Sequence, residues 1–397
     1  MKVLFLLLAF VDGNKSTCLY NDLVEEFRVQ GHDIYPIAPA LSKQTTGIYD
    51  EKNMKVLRVA SGSLFSSSKI MKGITNILLP YYYASALKKY YSTTKFDLIV
   101  LATPPVTMID LAAKIKKRDN AKVYLILRDI FPQNAVDIGM ISPNGIIYHF
   151  FRAKEKKMYH LSDLIGCMSH GNIDFVKEHN SEIPATKLHL LPNWATPKNN
   201  IITDSSIKTK YGLNDKYLVM FGGNIGAPQR VENLIALAQL YRHQSDILFL
   251  VVGKGTHKVH LEHLVSDTQL KNIIILDYVP VDDYKNLVAQ CDIGLISLHE
   301  NFTIPNIPSK LLGYYEAKIP VLAIVDNHTD LGDILRADKS GYACVAGDTA
   351  MIKEKFDQLY NNVSLRKQMG QNGYKALCNS YTTEIAYNTI VNHLTQI

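Results

Sequence analysis

Twice along this chain, short apolar runs end in a glycine or polar turn and lead into a helical stripe. That alternation constrains the fold more than any other feature. In the first half the runs are VLFLLLAF, DIYPIAP, VLRVA, FDLIVLA, KVYLILRD, LIGCMS and LHLLPN. Between the first two, Leu19, Leu23, Val24 and Phe27 form one apolar stripe, and Gly31 stops the helix. The second half repeats the grammar with YLVMFGG, DILFLVVGKG, NIIILDYV, IGLISL, IPVLAIV and GYACVA. Continuous apolar strands joined by helices predict parallel sheets covered on both faces. The expected fold is α/β, with two doubly wound Rossmann-like domains facing a central cleft. The expected boundaries are 1–195 for the first domain, 196–215 for a polar hinge, 216–378 for the second domain, and 379–397 for a terminal helix crossing back to the first.

Several classes are excluded by pattern. The start, MKVLFLLLAFVDGNKS, has a short apolar run that ends at Asp12-Gly13-Asn14 without a small-x-small site, so it reads as a strand rather than a signal peptide. No run of 18 apolar residues occurs, so no membrane-spanning helix is expected. The five cysteines are scattered with no C-x-x-C, which predicts reduced thiols and a cytoplasmic setting. The thirteen histidines show no metal-ligand spacing, and no metal site is expected. Residues 1–195 hold 24 Lys and Arg against 17 Asp and Glu, a net of +7, while the rest nets −1. The first half is therefore the part expected to meet something acidic.

The stretch VMFGGNIGAPQRVENLIALAQL joins a strand, a glycine turn and a helix start. Free N–H groups at a helix start favour an anion, and Gly222, Gly223 and Gly226 let the backbone approach it. The spacing is neither G-x-G-x-x-G nor a P-loop. A second anion-seat pattern is IPSKLLGYY, where Ser309 is expected to cap a helix and Lys310 sits in its first turn. A cation there runs against the helix dipole, and a bound anion would explain it.

In order along the chain, DGNKSTCLYNDLVEEFRVQGHDIYPIAP, LPNWA, FGGNIGAPQRVENLI, IPSKLLGYYEAKIPVLA, GYACVAGD and LRKQMGQNGYKAL resemble successive motifs of the retaining GT-B glycosyltransferases of family 4. The likeness is to bacterial O-antigen, capsule and exopolysaccharide transferases and covers nearly the whole chain. It implies transfer of a sugar from a nucleoside-diphosphate sugar, UDP-linked by family habit, with retention and no metal or other cofactor. The first domain would then be the acceptor side and the second the nucleotide-sugar side. The implied catalytic residues are Asp129, Arg230 and Lys310. The implied donor-binding residues are Gly13, Asn14, Gly223, Asn224, Gln229, Gly253, Val279, Ser309 and Glu316.

The sequence departs from that family in two places. Asn224 and Gln229 stand where relatives carry Arg and Lys, with Arg230 adjacent. A pair of glutamates is replaced by Pro305 and Gly313, leaving Glu316 as the ribose candidate one turn away. A UDP-sugar epimerase of the same fold and a non-catalytic nucleotide-sugar-binding protein therefore stay open. An NAD-dependent oxidoreductase lacks its glycine spacing here.

The resemblance further implies a polyprenyl-diphosphate-linked or other saccharide acceptor at the inner face of an anionic membrane, and no nucleic-acid partner. Independently, SLFSSSKIMKGITNILLPYYYASALKKYY sets Lys69, Lys72, Lys88 and Lys89 beside apolar residues and Tyr81 to Tyr83. That mixture suits a membrane boundary, with Lys114, Lys116, Lys117 and Arg118 close by in sequence.

Overall fold

The structure is a computed structural model. It describes residues 1–41, 44–61, 69–197, 204–277 and 279–397, with the backbone alone for 69–74. Chain contacts divide it into two units, Met1–Asn193 with Thr383–Ile397, and Trp194–Thr382.

The first unit holds an eight-stranded sheet. Its strands are β1 (Lys2–Leu6), β2 (Asp33–Pro39), β3 (Gly47–Glu51), β4 (Met54–Val59), β5 (Leu98–Ala102), β6 (Lys122–Leu127), β7 (Leu164–Cys167) and β8 (Leu188–Leu190). Their order is β3-β4-β2-β1-β5-β6-β7-β8, parallel except at the β3–β4 edge. Strand β3 was not expected from GIYDE, because its burial alternates and half of it is polar. A two-residue turn creates the hairpin: Lys52 and Asn53 both have positive φ, which matches strand twist. β1 and β5 are almost wholly buried, as continuous apolar runs require.

Helix Thr383–Leu394 belongs to this unit and lies on helix Leu19–Val29. Tyr387 packs edge-on against Phe27 at 4.8 Å and hydrogen-bonds His32 at 2.8 Å. His393 stacks on His189 at 3.8 Å. Burial and that neighbouring imidazole push His189 down to about 4, so it is neutral at physiological pH.

The second unit holds six parallel strands: β9 (Tyr217–Gly222), β10 (Ile247–Val252), β11 (Ile273–Leu276), β12 (Ile293–Ser297), β13 (Val321–Val325) and β14 (Gly341–Val345). Their order, β11-β10-β9-β12-β13-β14, is that of a dinucleotide-binding sheet. The expected hinge at 196–215 is only partly a linker. Residues 198–203 lie outside the described residues, but Ser206–Lys210 is a helix packed on helix Val281–Ala289. Lys210 and Tyr211 both bind Asp283, at 2.6 and 2.9 Å. That polar stretch therefore belongs to the second unit.

Candidate functional site

In an open α/β sheet a ligand sits beyond the strand carboxyl ends, where the strand order reverses. In the second unit the reversal falls between β9 and β12. These strands pair only at Val219–Ile293 and Met220–Gly294, and then separate. The gap is filled by Tyr314, which is buried; its hydroxyl lies 3.0 Å from the carbonyls of both Met220 and Leu295. Gly294 leaves room for that ring, since a Cβ there would come within 2.3 Å of it. Tyr314 falls within the IPSKLLGYYEAKIPVLA motif, four residues after Lys310 on the same helix face, but was not among the expected site residues. Tyr314→Phe should cost about 1–3 kcal/mol, because the hydroxyl's acceptors lose their donor inside the fold. Urea unfolding checks this, and an unchanged midpoint would count against the bridge.

The glycine loop after β9 is built against the next loop. Gly223 N–H donates to Val252 O and Ile225 N–H to Lys254 O, at 2.9 and 2.8 Å. A Cβ on Gly253 would sit 1.8 Å from Gly223 O, so Gly253 supports the bend. Gly223 itself has φ +112° and is exposed, as is Asn224. Val279 lies just past β11 with its side chain buried, and its neighbour Tyr278 is outside the described residues.

Lys310 comes to this bend from the helix Lys310–Glu316. Its Nζ is buried, lies 3.8 Å from the centre of the Phe221 ring, and has no hydrogen-bond partner among the described residues. A Cβ on Gly223 would be 4.0 Å from that nitrogen. Burial drives the ammonium down to about 7. An unpaired buried amine is costly unless something meets it. Facing an exposed glycine bend at the switch point, it fits an anion.

The other expected donor residues are placed differently. Ser309 is exposed, has helical φ and ψ, and makes no capping bond, so the expected cap is absent. Arg230 is not in a helix's first turn. It has left-handed geometry (φ +40°) between a short 3-10 turn and helix Glu232–Leu240, because the turn Ala227–Gln229 must end before that helix begins. Its guanidinium is paired with Glu300 at 3.0 Å and Glu232 at 3.4 Å. Gln229 folds back, its Oε1 accepting from Gly226 N–H and the Asn224 side chain, so it holds the loop. Glu316 lies six residues beyond Lys310, about 9 Å along the helix axis, and pairs with Lys285.

In the first unit the strand order reverses between β1 and β5. Gly13 and Asn14 follow β1 but serve the fold. Gly13 N–H donates to Glu51, and Asn14 accepts from Lys52 N–H and donates to Asp50 O. Glu51 in turn is held by two 2.7 Å bonds from Arg58, which also donates to Phe10, Val11 and Pro39 carbonyls. Neither Arg58 nor Glu51 was expected as a pair; an Arg inside the apolar run VLRVA was the available signal.

Arg128 and Asp129 stand at the carboxyl end of β6, both backbone N–H groups donating to Thr103 Oγ1. Burial pushes the Asp129 carboxyl up to about 6, against the pull of Arg128. Tyr20, on the helix after β1, is buried beside them and raised to about 12 by burial. Among the described residues no group of three or more His, Cys, Asp or Glu is placed to hold a metal ion.

Known proteins point the same way. The family described as "Glycosyl transferases group 1" matches residues 204–376, most of the second unit. "Probable glycosyltransferase WbjE" of Pseudomonas aeruginosa is 21% identical over 66% of this chain and 66% of its own length. "Capsular polysaccharide biosynthesis glycosyltransferase CapM" of Staphylococcus aureus is 24% identical over 48% of this chain and 49% of its own. The chain thus spans slightly less than two thirds of the first relative and about half of the second. Anabaena HepE, solved with UDP-glucose, superposes with a TM-score of 0.71 at 13% identity, covering 100% of both chains. At that identity the likeness is one of fold.

Proposed function

We propose that this chain, which matches the group 1 glycosyltransferases over residues 204–376 and has the GT-B fold, moves a sugar from a UDP-sugar to a lipid-linked or saccharide acceptor in bacterial surface-polysaccharide assembly. One observation carries the donor half: the buried Lys310 ammonium, without a partner among the described residues, facing the Gly223–Asn224 bend. As the bond between the anomeric carbon and the diphosphate breaks, the electron pair goes to the diphosphate. Lys310 and the bend meet that growing negative charge. The acceptor oxygen bonds to the anomeric carbon on the same face, and its proton passes to the departing phosphate oxygen. Retention follows without a protein nucleophile. Gly253, Gln229 and Tyr314 act through the loop they shape.

Asp129 supports the acceptor half. A carboxyl raised to about 6 is ionised at neutral pH and can accept a hydrogen bond from an acceptor hydroxyl. Charge compensation by Lys310 leaves metal unnecessary. The first unit's excess of positive charge, including exposed Lys88, Lys89, Lys114 and Lys117, suits peripheral attachment at an anionic inner membrane face. The side chains of Lys69 and Lys72 lie outside the described residues. No described helix is long and apolar enough to cross a membrane.

The test is a panel of nucleotide sugars with EDTA present, following nucleoside diphosphate release with and without membrane-extracted acceptors. Acceptor-dependent release of UDP is expected. Binding with no release on any acceptor would favour a donor-binding protein, and scrambling of the donor sugar without acceptor would favour an epimerase.

A further inference from the structure

Two tyrosine hydroxyls converge on Gly222, the last residue of β9, and the fold satisfies only one of them. The Tyr314 hydroxyl lies 3.0 Å from the Met220 and Leu295 carbonyls, and the Gly222 N–H donates to it at 3.4 Å. Tyr284 comes from helix Val281–Ala289, which follows β11. A Cβ on Gly222 would lie 2.0 Å from the Tyr284 hydroxyl and 2.9 Å from its ring. Gly222 does not have the positive φ of Gly223, so its missing side chain serves this close approach rather than a turn. The Tyr284 hydroxyl nonetheless has no hydrogen-bond partner among the described residues. Its side chain is only partly buried, whereas that of Tyr314 is enclosed. A phenol fitted against a backbone glycine, yet donating to nothing in the protein, is open to an outside acceptor.

We propose that Tyr284 is a further donor-binding residue, giving its O–H to a phosphate oxygen of the nucleoside diphosphate beside the Lys310 amine. This rests on the donor reading above and deepens it. Gly222 admits the phenol, and the next residue, Gly223, faces the lysine, whose nitrogen would be 4.0 Å from a Cβ there. An anion seated on that one peptide meets both groups. The two groups divide the work by their protons. Burial pushes the Tyr284 hydroxyl up to about 12, so it remains a donor at any physiological pH. Lys310 gives up its extra proton near 7. The seat therefore keeps one neutral donor when the ammonium is lost. A fully ionised diphosphate oxygen only accepts, and a hydrogen bond to it is stronger than one to a neutral oxygen. A ribose hydroxyl also accepts, but the amine one residue away selects an anion.

Calorimetry on the full chain with UDP and with inorganic pyrophosphate tests the assignment. Tyr284→Phe should weaken both by about 10–100-fold, the range for a hydrogen bond to a charged group. The factor lost should be equal on both sides of the Lys310 titration, because the phenol keeps its proton throughout. The urea midpoint of Tyr284→Phe should match the parent's, unlike that of Tyr314→Phe, since no bond within the protein is lost. A lowered midpoint would make the hydroxyl a structural group and overturn the proposal. So would UDP affinity equal to the parent's. A loss with UDP that pyrophosphate does not share would place the phenol on the nucleoside, and overturn it too. A parent that binds pyrophosphate but not UDP, and releases none from UDP-sugars, would instead remove the glycosyl-transfer reading. The pyrophosphate comparison would then decide the role of Tyr284 by itself.

Discussion

Lys310→Met will lower transfer by about 10²–10³-fold, the range for deleting one preorganised charge stabiliser at a developing oxyanion. The substitution keeps the stem's volume over Phe221, so the fold should hold. A pH signature separates this from general damage. In the free protein Lys310 titrates near 7, well below its ordinary 10.5, because burial disfavours the ammonium. Between those values the unfolded chain holds the proton and the folded chain does not, so stability should rise with pH across that window. Diphosphate binding reverses the preference. At pH above about 7 it should take up a proton, approaching one per site, and affinity should weaken by up to about tenfold per pH unit. Calorimetry in two buffers of different ionisation enthalpy measures the uptake. Lys310→Met should show neither the uptake nor the stability slope. Full turnover in that variant at subsaturating donor would refute the assignment.

Glu51→Gln will destabilise the first unit by about 3–5 kcal/mol, the usual result of removing one partner from a buried ion pair. The Arg58 side chain is fully buried, and its two shortest bonds go to Glu51. Without the carboxylate a charged guanidinium remains among apolar neighbours, held only by backbone carbonyls. The loop after β1 loosens as well, because Gly13 N–H loses its acceptor charge. A fall in melting temperature of about 6–20 °C is expected for a unit of this size. Glu51→Leu with Arg58→Met should recover much of it, since no buried charge is then left unpaired. Single variants within about 1 kcal/mol of the parent would show that water reaches Arg58.

Those two lysine and arginine environments differ in how visible they are beforehand. Lys310 is legible because a cation in a helix's first turn after a proline-rich loop breaks a local rule, and the rule-breaking is sequential. The Arg58–Glu51 pair is not, because it depends on a hairpin whose strand β3 is half polar and forms no continuous apolar run. Arg230 shows the opposite error. Its position beside a glycine turn suggests a free cation, whereas Glu300, seventy residues away and at the end of another strand, takes its guanidinium.

What the sequence determines alone is the pattern of elements. Continuous apolar runs of strand length, broken by glycine and joined by 3.6-period stripes, can bury themselves only as covered parallel sheets. All six strands of the second unit and seven of the eight in the first follow from that. It also determines the bend at Gly222–Gly223, since backbone freedom is a local property. What only the tertiary structure decides is which polar groups are already spoken for. Strand order brings β9 beside β12, opens a gap for Tyr314, and aims one amine at an exposed bend while other side chains close on neighbours. Hydrogen bonds and ion pairs form between residues distant in sequence, and each group can be satisfied only once. Which cation is left to meet a ligand is therefore a property of the folded molecule.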